Sequence, residues 1–187
     1  KVVVSILGVL SFILMMFRFP LPFAPGFMDI DISEMPALLA SFSLGPFAGF
    51  LVVVVKIVLK LFSGSSTIYV GELSNLIVSS AFVVSAGFIY KNNKTKKGAI
   101  IALISGTIIM STIATLSNYF VIFPMYGSLM GITMQGFADT VAEINGLVTD
   151  FKTLMIFSIL PFNLVKGIVT SFVTYLLYKR VRPILIG

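Results

Sequence analysis

Asn163 and Lys166 lie three residues apart in the apolar run Ser158–Gly167, so on a helix they share one face, and Thr170 and Thr174 extend that stripe. An amide beside an ammonium has a definite chemistry. Asn offers an acceptor and a pair of donors, which reads the edge of a flat heterocycle, and Lys adds three donors. The ammonium opposes a cationic ligand and suits carbonyl oxygens or a mild anion. An ionisable group inside an apolar span is costly and belongs against a partner or a cavity.

Two further amides fall at the same predicted depth. If the last helix begins near Pro161, Lys166 lies about 8 Å along it. Asn118 precedes Pro124 by six residues, about 9 Å on a helix, and Asn75 follows Gly71 by four, about 6 Å. Glu72 is nearer the surface. Unpaired amides in a dry site are costly, and a shared pocket roofed by outer loops would satisfy all of them. Phe19, Phe23, Phe27, Tyr119 and Tyr126 are placed to cover a ring. Other outcomes stay open. Lys166 either snorkels or pairs with Glu72, Asp139 or Glu143 as a structural ion pair, and the asparagines serve as hydrogen bonds between helices. Lys56 and Lys60, one turn apart near the outer end of a span, are expected to snorkel.

The elements that must position these groups follow from composition. The chain is 58% hydrophobic and 11% charged, with mean hydropathy +1.09, far more apolar than a soluble domain. Six spans are predicted: Val2–Phe17, a short one from the Asp31/Glu34 region to Leu44, Phe47–Phe62, Gly71–Tyr90, Ala99–Phe123 closed by Pro124, and one from about Pro161 to Tyr178. Asp31 reads as an N-cap with Glu34 completing a capping box. Gly45-Pro46 separates the second and third spans. Arg18–Asp31 is a Pro-rich loop, and Met125–Lys152 is expected to be a partly ordered outer cap. Val2–Phe17 reads as a retained span, since Arg18-Phe19-Pro20 follows it instead of a small-residue cleavage site. Because the chain starts without Met, some residues are expected to precede it.

Charge sets the orientation. Lys91, Lys94, Lys96 and Lys97 fill one loop and Lys179, Arg180 and Arg182 one tail, with no acid in either, while all seven acids lie in the other connections or at their edges. Excess Lys/Arg marks the cytoplasmic side. The expected fold is therefore an all-α integral membrane protein of six transmembrane helices, a single domain over 1–187, with both termini cytoplasmic and the acidic loops outside. The net charge of +6 is explained by these lysines and the lipid bilayer, not by nucleic acid. The absence of Cys and His excludes disulfides, thiol chemistry and Cys/His metal sites. There is no phosphate-binding G-x-x-x-x-G-K-[ST] loop and no acid–base pair at pocket depth, so the chain reads as neither an ATPase nor an enzyme.

Several stretches carry a resemblance: Asp29-Ile30-Asp31-Ile32-Ser33-Glu34-Met35-Pro36-Ala37-Leu38, Gly45-Pro46, Gly71-Glu72-Leu73-Ser74-Asn75, Asn118-Tyr119-Phe120, Pro124-Met125-Tyr126 and Pro161-Phe162-Asn163-Leu164-Val165-Lys166-Gly167. Across essentially its whole length the chain resembles the riboflavin-binding S component of energy-coupling-factor (ECF) vitamin transporters. That resemblance implies a multi-pass protein of the bacterial cell membrane. The resemblance further implies that such a protein binds riboflavin as transported ligand, carries no cofactor, and has the first loop as a lid. It also implies polar ligand contacts at Asn118, Asn163 and Lys166, and apolar or backbone contacts around Met35, Leu38, Leu39 and Ala40. Glu72, Asn75 and Tyr119 are further candidates. The implied partners are an ECF transmembrane coupling protein and two ATPase subunits. Family members dock through Ala-x-x-x-Ala in the first span, where this chain has Ser5, Gly8 and Ser11 instead. The rival readings are an S component for another vitamin and a non-catalytic membrane scaffold.

Overall fold

A computed structural model describes residues 1–22, 25–26, 28–65 and 67–186, with side chains described as far as 180. Phe23 and Phe27, expected in the roof, lie outside the described residues. The described helices are α1 (Val2–Met16), α2 (Glu34–Leu44), α3 (Pro46–Phe62), α4 (Val70–Asn92), α5 (Lys96–Ser117), α6 (Phe123–Met130), α7 (Met134–Ala142), α8 (Phe151–Leu154) and α9 (Leu160–Ile186). A two-stranded ribbon, β1 (Phe19–Pro20) and β2 (Asp29–Ile30), pairs antiparallel with Phe19 opposite Ile30 and Pro20 opposite Asp29.

The short α2 occupies the centre. Every residue from Glu34 to Phe42 is buried, and α2 packs against α1, α3, α4 and α9. Gly45 explains how it is enclosed. Its φ of 107° and ψ of 164° suit glycine and strain any L side chain, and Pro46 then starts α3 in the first turn, where its missing N–H costs nothing. The chain therefore reverses. Gly49 of α3 sits so close to Ala37 and Ser41 of α2 that a Cβ would lie 2.8 Å from the Ala37 carbonyl oxygen and 2.6 Å from Ser41 Cβ. Gly45-Pro46 is thus a hairpin turn between two helices and not a kink within one.

Two prolines expected to bound helices do not. Pro124 does not end the fifth span: α5 continues through a π-helical turn, Asn118–Ile122, into α6, and the Phe123 N–H reaches back five residues to the Asn118 carbonyl. Pro161 does not begin the last one. α8 starts at Phe151 and runs through a second π turn, Met155–Ile159, into α9, with the Leu160 N–H on the Met155 carbonyl. A widened turn shifts the donor–acceptor pairing just ahead of each proline, where a regular helix would lose a bond and meet the ring. The expected capping box is also displaced. Ser33 is the N-cap of α2 and gives no side-chain cap, while Asp31 Oδ1 accepts from the Ser33 N–H at 2.8 Å. The segment Met125–Lys152, expected as a partly ordered cap, holds the end of α6, α7 and the start of α8.

Three helical stretches, 70–92, 96–130 and 151–180, are long and apolar enough to cross a membrane, and α1 is a shorter apolar helix. Large apolar side chains such as Ile6, Ile13, Phe88, Ile104 and Phe172 face outward on these helices, as lipid contact requires. Of the small residues singled out in α1, Ser5 is exposed too, and the other two are not. Gly8 and Ser11 are buried, and a Cβ on Gly8 would run into Val55 of α3.

Candidate functional site

Helical spacing puts Glu72 and Asn75 on one face of α4, with Ser79 one turn on. The first π turn begins with Asn118, and α9 carries Asn163 and Lys166. These five sequence-predicted residues line one cleft. The ribbon adds Asp29, Arg18 and Asp31 follow from its flanks, and Lys60 enters from α3. Met15, Met28, Val78, Ile122, Tyr126 and Phe162 supply the apolar wall, and the cleft has a volume of about 110 Å³.

Lys166 is anchored, but not to the partners named from sequence. Its ammonium is 3.2 Å from Asp31 Oδ2 and 3.2 Å from Glu34 Oε1, and not against Glu72, Asp139 or Glu143. The same Glu34 oxygen meets Lys56 at 3.4 Å and accepts from the Ser79 hydroxyl at 2.8 Å. Lys56 further donates to Ser33 Oγ at 3.0 Å and Ser79 Oγ at 3.2 Å. Lys56 is therefore not a snorkelling residue; it is wholly buried, bonded into α2 and α4. Lys60 is buried as well and donates to the Gly64 carbonyl at 3.0 Å. The signal that could have found this pairing is symmetry about the turn: Glu34 and Lys56 each stand eleven residues from Gly45, so a reversal there brings them together.

The charges around the cleft balance. Arg18, Lys60 and Lys166 face Asp29, Asp31 and Glu72, with Arg18 and Asp29 4.0 Å apart at the ribbon. Glu72 ties down the turn between α3 and α4, accepting from Ser65 Oγ at 2.8 Å and Thr67 Oγ1 at 3.0 Å. The two deep amides are turned by their own helices. Asn118 Nδ2 donates to the Ala114 carbonyl at 2.7 Å and Asn163 Nδ2 to the Ile159 carbonyl at 2.9 Å. A site of this kind presents amide and ammonium groups to a ligand without a net charge of its own, which favours a neutral, hydrogen-bonding molecule over an ion.

The remaining predicted residues are elsewhere. Met35, Leu38, Leu39 and Ala40 belong to the apolar core around α2 and do not line the cleft. Tyr119 stacks on Phe151, ring centres 5.2 Å apart. Of the expected roof aromatics, Tyr126 lines the cleft and Phe19 is exposed on the ribbon.

Comparison with known proteins places the chain in a family. The family described as "ECF transporter, substrate-specific component" matches residues 2–178. The riboflavin transporter RibU of Staphylococcus aureus (strain TCH60) is 37% identical over 180 residues, covering 96% of this chain and 88% of that protein. The riboflavin transporter FmnP of Bacillus subtilis (strain 168) is 34% identical over 184 residues, covering 97% and 91%. A solved structure of the S component of a bacterial ECF transporter superposes with a TM-score of 0.76 at 35% identity, covering all of this chain and 96% of the other.

Proposed function

Because this chain belongs to the substrate-specific components of ECF transporters, we propose that it is the riboflavin-binding subunit of such a transporter and that the cleft is its binding site. It is a transport protein of the bacterial cell membrane and not an enzyme. The observation that carries the assignment of the site is the convergence of Asn75, Asn118, Asn163, Lys166 and Glu72, from the three long helical stretches, on one charge-balanced cleft beside the β1–β2 ribbon. Riboflavin is neutral, with a ring edge of carbonyl oxygens and an N–H and a chain of hydroxyls. Asn118, Asn163 and Lys166 suit the ring edge, and Asn75 and Glu72 offer acceptors for hydroxyls. Met35, Leu38, Leu39, Ala40 and Tyr119 reach such a ligand only if α2 is uncovered or Tyr119 leaves Phe151.

Pockets for metabolite-sized ligands span about 300–1,000 Å³, more than the cleft provides. Admission of a three-ring ligand therefore moves the ribbon and the α3–α4 turn outward, and the first loop works as a lid. Six spans are proposed, α1, α2, α3, α4, α5–α6 and α8–α9, with the lysine-rich ends, and hence both termini, in the cytoplasm. A transmembrane coupling protein and two ATPase subunits would power uptake.

The test is the visible absorption spectrum of freshly purified protein, followed by titration of riboflavin fluorescence. Binding that thiamine and folate fail to displace supports the proposal. Colourless protein that leaves riboflavin fluorescence unquenched overturns it, and displacement by another vitamin reassigns the ligand.

A further inference from the structure

A second cavity, of about 420 Å³, opens at the far end of the molecule from the amide cleft, between the α2–α3 turn and the end of α4. Its wall has two chemical halves. Leu44, Phe47 and Phe88 are large, apolar and exposed. Lys91 and Lys94 stand beside them, also exposed, and among the described residues neither forms an ion pair. No Asp or Glu is among the lining residues, in contrast to the balanced cleft. Ser43 adds a hydroxyl for which no hydrogen bond is made among the described residues.

We propose that this cavity holds the headgroup of an anionic phospholipid. A lipid fits each feature, where a soluble anion fits only some. The site lies at helix ends, which is headgroup level for a bundle of this length. Its open side is bordered by aromatic and aliphatic side chains facing outward, which suit acyl chains and offer nothing to a hydrated ion. Two unpaired ammonium groups complement a phosphodiester, and basic pockets between membrane helices are the usual seat of such headgroups. The volume is in the range of pockets that hold a small polar ligand. A bound lipid would brace the Gly45-Pro46 turn, where the chain is held in a conformation other residues resist. The inference rests on the helices crossing a membrane and not on which side the lysines face, nor on the identity of the transported ligand.

The experiment compares the full chain with K91Q/K94Q in nanodiscs of phosphatidylcholine with and without phosphatidylglycerol. Native mass spectrometry counts retained lipid, and thermal melts read stabilisation. Phosphatidylglycerol should be retained selectively by the unaltered protein and raise its melting temperature, and K91Q/K94Q should weaken retention roughly tenfold or more. K96Q/K97Q, carrying the same charge loss outside the cavity, should retain the lipid, and riboflavin titrations should be unchanged in both variants. The proposal is overturned by equal retention in K91Q/K94Q. Equal loss in K96Q/K97Q overturns it in favour of diffuse attraction, and equal stabilisation by soluble glycerol phosphate in favour of a free anion. Unchanged lipid retention in K91Q/K94Q with failed assembly onto the ATPase-bearing partners would make the cavity a protein-docking surface instead.

Discussion

The Lys166 ammonium stands 3.2 Å from Glu34 Oε1, and the same oxygen takes a second ammonium, that of Lys56, at 3.4 Å. Glu34 is thereby a junction between α3 and α9, held against the cleft-lining Lys166. Removing one member of a buried ion pair leaves a charge without compensation and costs about 3–5 kcal/mol. Lys56→Met is therefore expected to lower the thermal midpoint in detergent sharply, since Asp31 and Glu34 would then share one cation. The double variant Glu34→Gln/Lys56→Met restores neutrality and should recover at least half of the loss. A double variant no more stable than Lys56→Met alone would show that the pairing is not what matters.

The amides behave differently from the ammonium. Among the described residues Asn118 and Asn163 are bonded only to carbonyls of their own helices, so Asn118→Ala and Asn163→Ala leave no buried charge. Each should weaken riboflavin binding by about 1–2 kcal/mol, roughly 5–30-fold in Kd, with helical content and melting temperature nearly unchanged. Lys166→Ala strips Asp31 and Glu34 of their shared cation, so binding and thermal stability should fall together. Fluorescence titration alongside thermal melts separates the two behaviours, and alanine variants of both asparagines that bind normally would remove them from the site.

Much of this arrangement is legible in the chain. Counting from Gly71, Pro124 and Pro161 sets Asn75, Asn118, Asn163 and Lys166 at one level, and all four line the cleft, although neither proline ends a helix. What cannot be counted is the face a residue turns inward once the backbone departs from regular geometry. Pro124 and Pro161 read as boundaries because a regular helix cannot carry them; the π turns ahead of each are invisible to a 3.6-residue period. Lys56 read as snorkelling because its distance from the helix end says nothing about a partner folded back by Gly45. The local pattern around Asp31 fits a cap, yet its carboxylate splits between the Ser33 N–H and Lys166, a residue 135 positions away.

Gly87 gives a packing test of the central hairpin. A Cβ there would overlap Ser41 Oγ and lie 3.1 Å from Pro46 Cα, while Ser41 Oγ donates to the Val83 carbonyl at 2.9 Å. Overpacking of this kind typically costs about 1–3 kcal/mol, so Gly87→Ala should lower the melting temperature. Adding Ser41→Ala removes one of the two clashes and should return part of the loss, giving a coupling energy between positions that touch. Additive effects in that cycle would mean that α4 shifts away from the hairpin without resistance.

Asp150 caps α8 through a reciprocal pair: its Oδ1 accepts from the Thr153 N–H at 2.8 Å, and Thr153 Oγ1 accepts from the Asp150 N–H at 2.8 Å. The Thr153 N–H, more than any other group, holds the Asp150 carboxyl below its ordinary range. A carboxylate with a lowered folded pKa stabilises the fold above the unfolded value, about 3.9 for Asp, and that contribution is lost as pH falls through the lower folded value. Hydrogen-exchange protection of residues 151–155, corrected for intrinsic rates, should hold steady from neutral pH to about 5 and decline below about 4. Asp150→Asn keeps a capping side chain and should abolish that acid-range decline, whereas Asp150→Ala should reduce protection at every pH. An unaltered protein whose protection in this turn is flat down to the lowest accessible pH would show that the cap is not held by the charged carboxylate.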